Sequence, residues 1–231
     1  MHRSIVRVAL PALALASGLA LTQTAEAKPN VTRRGGQWGV MLGGSACIPG
    51  QSKCARDNIQ DGGITIDGKT KPSFGLGAEL GYRIKPWIYV GAQYNLGFFN
   101  TEYEITGANE YKRAYQHSVY GVVRPILPVW RFDFGLGVGP GFSRQVFKID
   151  GGGKKDKDYS QGFSFLISPS IDIWVARRIF IGAKVDLLLN GHGKLCRDRD
   201  NTTTCQKRPA DRDIAMVHQT IFGLHIGGTF L

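Results

Sequence analysis

SFGLGAELGYR (73–83) alternates without a break. Phe74, Leu76, Ala78, Leu80 and Tyr82 fall on one face, and Gly75, Gly77, Glu79, Gly81 and Arg83 on the other. A period of two is the mark of a β-strand, because successive side chains point to opposite sides. RFDFGLGVGPGFS (131–143) repeats the form, with Phe132, Phe134, Leu136, Val138, Pro140 and Phe142 set against Asp133 and four glycines. GFSFLISPSIDIW (162–174) puts Phe163, Phe165, Ile167, Pro169, Ile171 and Ile173 on one face. IFIGAKVDLLL (179–189) does the same with Ile179, Ile181, Ala183, Val185, Leu187 and Leu189. Weaker alternation over 37–46, 87–98, 115–125 and 214–230 brings the expected number of strands to eight.

The connections between these strands alternate in length. Short ones fall at Ile84-Lys85-Pro86, at 126–130 (Ile-Leu-Pro-Val-Trp) and at 175–178 (Val-Ala-Arg-Arg). Long polar ones fall at 47–72, 99–114, 148–160 and 190–213, rich in Gly, Asp, Asn and Lys, which predicts exposed loops. Short turns at one end and long loops at the other is the pattern of a membrane-spanning barrel. The second face of each strand is glycine, serine and a few ions, too weakly charged for a good solvated surface. Hydrocarbon outside and a tight polar lumen inside fits this better than a soluble barrel.

The N-terminus reads as a targeting segment. Arg3 and Arg7 precede an apolar run at 8–21 that is too short to span a bilayer as a helix, and Ala25-Glu26-Ala27 is a small-x-small cleavage site. The expected organisation is a cleaved signal peptide over 1–27, a periplasmic leader over 28–36 and a barrel over 37–231. Of the 231 residues, 42% are hydrophobic and 10% aromatic, which excludes a disordered chain. The formal charge of +11 is spread over signal, leader, short turns and loops. It forms no basic stripe interleaved with stacking aromatics, so nucleic acid is not an expected partner.

Four cysteines, Cys47, Cys54, Cys196 and Cys205, sit in the first and last long loops. Their spacing fits no zinc pattern, so disulfides in an oxidising compartment are the plain reading. Local pairing, Cys47–Cys54 and Cys196–Cys205, is favoured by proximity in sequence. Pairing between the two loops is the alternative, because the first and last strands of a closed barrel are neighbours.

If the alternation holds, Glu79, Arg83, Arg124, Asp133, Asp172, Lys184 and Asp186 all point into the lumen. Lone buried charges are costly, so this set is expected to be paired or hydrated. It reads either as an ion network that plugs the interior or as the lining of a narrow path. The inward glycines leave gaps for water or make room for large side chains from neighbouring strands. An interior that side chains just fill favours the plug.

Candidate catalytic groups are few. His218 falls on the last strand and His117-Ser118 on the fourth, on opposite walls of a closed barrel. His192 falls in Gly-His-Gly on a loop, and His225 faces inward. None has a base or acid fixed beside it, so no enzyme, cofactor or metal is expected.

Strand number, loop asymmetry and the last strand, TIFGLHIGGTFL (220–231), resemble the small eight-stranded outer-membrane barrels, the class of the OmpA transmembrane domain and the OmpX/Ail type. That resemblance implies an all-β, eight-stranded, antiparallel up-and-down transmembrane barrel in the bacterial outer membrane. It also implies an assembly signal, Phe222, Leu224, Ile226 and Phe230, followed here by Leu231 and read by the barrel-assembly machinery. Outer-membrane lipid and lipopolysaccharide are the implied surroundings, and the chain is expected to be a monomer. The expected role is non-enzymatic: envelope integrity, or surface binding and adhesion to an extracellular ligand through four loops. A narrow porin-like channel is the alternative, and a lipid A-modifying enzyme a further one.

Overall fold

The structure is a computed structural model that describes residues 30–47, 67–104, 111–149, 156–199, 202–207 and 218–230. It contains ten strands: β1 (Gly35–Cys47), β2 (Asp67–Lys71), β3 (Ser73–Lys85), β4 (Ile88–Glu104) and β5 (Tyr111–Val129), then β6 (Phe132–Ile149), β7 (Lys157–Trp174), β8 (Ile179–Arg199), β9 (Thr202–Lys207) and β10 (Gln219–Phe230). Every pairing is antiparallel, and the long strands neighbour one another in chain order from β1 through β3 to β8. β10 pairs with β1 on one side and with β8 on the other. This is an all-β, up-and-down β-barrel fold.

Against the eight strands expected, the described residues hold ten. Both additions arise in stretches that composition assigns to loops. β2 pairs with the far end of β4, and β9 folds back on the far end of β8. Polar, glycine-rich sequence looks like loop, yet a neighbouring ladder satisfies its backbone groups equally well. The long strands also outrun their expected ends. β8 continues through Asn190 and His192 to Arg199, where a loop was expected from residue 190.

At the other end the turns are tight. β3 and β4 join at Pro86-Trp87, and β7 and β8 at 175–178. β5 runs on to Val129, so the expected connection at 126–130 shrinks to Trp130-Arg131. Trp130 has a φ of 52°, the left-handed conformation that a two-residue hairpin requires.

The two faces separate as the alternation predicts. Leu80, Leu127 and Phe163 are about 60% exposed on the outer face (60%, 64% and 59%), while Glu79, Arg124 and Asp186 are buried inside. An apolar surface around a charged interior inverts the distribution of a water-soluble protein. It suits strands that stand in hydrocarbon.

The inward glycines make room for large side chains. A Cβ on Gly97 would lie 1.7 Å from Gln219 Nε2, and one on Gly135 would lie 2.9 Å from Arg124 Cδ. Gly139 is as tight as Gly97 but against backbone, because a Cβ there would sit 1.7 Å from the carbonyl oxygen of Gly121 across the β5–β6 ladder. Backbone cannot swing aside as a side chain can. Gly139→Ala is therefore expected to cost at least about 1–3 kcal/mol, as overpacking does. Gly121→Ala meets nothing within 4 Å and is the matched neutral control. Urea unfolding of the two refolded variants compares them directly.

Candidate functional site

The seven inward charges come from five strands, Glu79 and Arg83 from β3, Arg124 from β5, Asp133 from β6, Asp172 from β7, and Lys184 and Asp186 from β8, and the alternation of each strand aims them at the barrel axis. The structure brings all seven predicted charges into two linked clusters. In the first, Glu79 accepts two hydrogen bonds from the Arg124 guanidinium, at 2.8 and 2.6 Å. Lys184 Nζ donates to the same carboxylate at 2.6 Å and to Gln93 Oε1 at 2.9 Å. Asp186 accepts from Ser168 Oγ at 2.6 Å, from Gln93 Nε2 at 2.5 Å and from Asn95 Nδ2 at 3.1 Å.

The second cluster lies toward the short turns. Asp133 accepts from Arg83 Nη1 at 2.6 Å, Trp174 Nε1 at 2.7 Å and Arg33 Nε at 3.0 Å. Arg83 also donates to the Pro86 carbonyl. His225 links the clusters, with Nδ1 2.8 Å from Asp172 and Nε2 3.5 Å from Glu79. Four carboxylates thus face four fixed cations, once Arg33 is added to the predicted set. A cavity of about 10 Å³ remains between Gln37, Arg83, Arg124, Ser170 and Asp172, room for about one water.

Arg33 belongs to the expected leader, and no pattern in the sequence places it at the lumen. Its segment turns under the mouth of the barrel. The Thr32 amide donates to the Arg177 carbonyl at 2.8 Å, and Thr229 Oγ1 donates to the Thr32 carbonyl at 3.1 Å. The Arg33 guanidinium also donates to the Trp130 carbonyl.

Above the ion clusters the interior changes character. Met41, Tyr120, Val122, Leu166, Leu188 and Ile221 form one fully buried apolar cluster. Along β5, β7 and β8 this layer lies on the long-loop side of Arg124, Asp172 and Lys184. Beyond it comes a neutral polar layer centred on Asn190. Asn190 Oδ1 accepts from Ser143 Oγ at 2.7 Å, Ser164 Oγ at 2.9 Å and Gln116 Nε2 at 3.2 Å, and its Nδ2 donates to Gln116 Oε1 at 3.0 Å.

His192 is part of this layer, not of a loop. Its Nε2 lies 2.6 Å from Ser143 Oγ and its Nδ1 2.9 Å from Ser160 Oγ. That is hydrogen-bond reach for a nucleophile and a base. The pair is nevertheless buried, and the ring lies between the two hydroxyls of Ser143 and Ser160. His117 faces outward beside Tyr94, and His218 Nδ1 accepts the Asn190 amide at 3.1 Å. β5 and β10 are not neighbours in the sheet, so these two histidines do not meet.

Cys196 and Cys205 form a disulfide across the β8–β9 ladder, in agreement with local pairing. The expected Cys47–Cys54 bond involves Cys54, which lies outside the described residues, as do the cleavage site at Ala27 and Leu231. Phe222, Leu224 and Phe230 line the outer face of β10, with Ile226 half-buried in the same row.

Comparison with known proteins agrees with this architecture. The family model for the outer membrane protein beta-barrel domain matches residues 8–172. The crystal structure of the outer membrane protein OprG from Pseudomonas aeruginosa is similar in fold, with a TM-score of 0.52 and 12% identity over 86% of this chain and 98% of that one. No curated protein matches the sequence. A barrel with an apolar outside and a charged inside, matched by that model over most of its length, belongs to the outer membrane protein β-barrel family of the bacterial outer membrane.

Proposed function

We propose that this protein is a sealed, non-enzymatic barrel whose eight long strands close the membrane-spanning wall and whose activity is presented at the long-loop end, in envelope integrity or surface binding. The orientation follows the usual asymmetry of such barrels, with short turns in the periplasm and long loops outside. The observation that carries the sealed reading is the apolar layer from Met41 to Ile221, with every member 2% exposed or less. A conducting path must cross it, and a dry apolar constriction excludes ions. The ion clusters below form a second barrier, because Arg33, Arg83, Arg124 and Lys184 are each already paired with a carboxylate. The Ser143–His192 pair belongs to the lumen packing in this reading, since both side chains are buried.

The test is heat modifiability and conductance on one sample. Refolded protein is expected to shift in mobility between unboiled and boiled gels. It is expected to show no discrete steps in a planar bilayer. Reproducible steps from the unaltered chain would replace this reading with the narrow channel.

A further inference from the structure

On the outer wall, at the long-loop end of β6 to β9, the apolar surface stops at a defined line. Phe142 and Phe163 lie directly opposite each other across the β6–β7 ladder, and Phe163 lies opposite Gly191 on β8. Both rings are more than half exposed, at 51% and 59%. One step further along the strands the chemistry changes. Arg144 is opposite Gln161, Gln161 is opposite Lys194, and Lys194 is opposite Lys207. This is a row of three cations across four strands, with no carboxylate in it. The ladder skips Gly193, a one-residue bulge that keeps Lys194 on the outer face.

Two lysines directly opposite each other repel, and like charges in that position destabilise a sheet. Among the described residues, neither ammonium lies within ion-pair distance of a carboxylate. Arg144 stacks its guanidinium 3.8 Å from the centre of the Tyr159 ring, which buries its Nε without a hydrogen-bond partner. Between the aromatic row and the lysines lies an open cleft of about 720 Å³, lined by Phe142, Phe163, Gly191, Gly193, Lys194 and Lys207 among others. Its floor is glycine, and a Cβ on Gly193 would meet nothing within 4 Å.

We propose that this cleft is a lipid site that holds one outer-leaflet glycolipid of the lipid A type, an acylated sugar bearing phosphates. The proposal rests on the membrane orientation given above. An acyl chain lies over Phe142, Phe163 and the glycine floor. The phosphates sit at the line where the cations begin; Lys194 and Lys207, which line the cleft, donate charge-assisted hydrogen bonds to them, and Arg144 adds positive charge in the same row. The match is one of level as well as charge, since the aromatic row stands where a bilayer interface places such rings. An anion also relieves the Lys194–Lys207 repulsion that the fold otherwise leaves uncompensated.

The test uses the full chain refolded in neutral detergent and titrated with bis-phosphorylated lipid A, with bound lipid counted by native mass spectrometry. Lys194→Gln with Lys207→Gln is expected to weaken binding roughly 10- to 30-fold, the effect of two interfacial lysines on an anionic lipid. Gly191→Leu fills the cleft. Its Cβ meets only ordinary contacts, the nearest 3.5 Å away, so the variant is expected to fold and to lose affinity through the acyl chain. Phosphate-free lipid A is expected to bind no better to the unaltered chain than to the double lysine variant. Equal lipid A binding by the unaltered and double-lysine chains would overturn the site, leaving the lysines as protection of the β9 edge. Phosphatidylglycerol binding as tightly as lipid A would overturn the choice of occupant. The unboiled gel shift confirms that each variant is folded. Conductance is not a readout here, so failure of this site is separate from failure of the sealed-barrel reading.

Discussion

Glu79→Gln is expected to lower the unfolding free energy by about 3–5 kcal/mol, the cost of removing one partner from a buried charge set. Glu79 holds Arg124 through two bonds and Lys184 through a third, and all three side chains are 2% exposed or less. A glutamine keeps the shape and removes the charge. Arg124 and Lys184 would then face each other with Asp186, 3.8 Å from Lys184, as the nearest ion-paired carboxylate. Water cannot repay the loss, because the cavity beside Arg124 has room for about one molecule. Lys157–Asp198 supplies the contrast. That pair is 3.3 Å apart and partly exposed, and Asp198→Asn is expected to change stability by no more than about 1 kcal/mol. Urea titration followed by tryptophan fluorescence in lipid vesicles measures both. The double variant Glu79→Gln/Arg124→Gln is expected to recover part of the loss, since it removes one stranded cation. A Glu79→Gln barrel as stable as the original would mean that the cluster is hydrated, and that the lumen is wetter than its packing implies.

What could be read from the sequence depended on contrast between the two faces of a strand. In SFGLGAELGYR (73–83) apolar residues alternate with glycine and ions, so face and register are legible from the pattern. The inward placement of Glu79, Arg83, Arg124, Asp133, Asp172, Lys184 and Asp186 follows from it. The apolar layer was hidden because it breaks the contrast. Val122 sits beside Val123, Leu166 between Phe165 and Ile167, and Leu188 between Leu187 and Leu189. In such runs both faces are hydrophobic, and alternation cannot say which residue turns inward. The runs themselves were the available signal, because an unbroken apolar stretch marks a strand buried on both sides. The Asn190 layer was hidden by the opposite ambiguity. Near the long loops, polar inward residues and polar loop residues look alike, so Asn190 and His192 read as loop. Arg33 carried no signal at all. Its place is set by a chain reversal held by Thr32, Arg177 and Thr229, contacts that join the two ends of the sequence.

Opening the apolar layer is expected to turn a silent barrel into a conducting one. Leu166 and Leu188 are the residues to change. They lie directly opposite each other across the β7–β8 ladder, and both are fully buried. Leu166→Ser with Leu188→Ser replaces two branched hydrocarbon side chains by hydroxyls, leaving a cavity edged with polar groups. Tyr120 OH and Ser164 Oγ, 2.8 Å apart, stand beside it on the long-loop side. Ser168 and Asp186, joined at 2.6 Å, stand beside it on the other. A cavity with several polar partners takes up water, whereas one lined by leucine stays dry. The hydrated space then joins the two polar layers, and the constriction that excluded ions is lost. Stability falls as well, by about 2–5 kcal/mol for each large-to-small change. The unboiled gel shift is therefore run first, to show that the variant is folded. In a planar bilayer the folded variant is expected to give discrete steps where the unaltered chain gives none. A folded variant that stays silent would move the seal from the apolar layer to the ion clusters. The Arg83–Asp133–Arg33 contacts at the short-turn mouth would then be the barrier that matters.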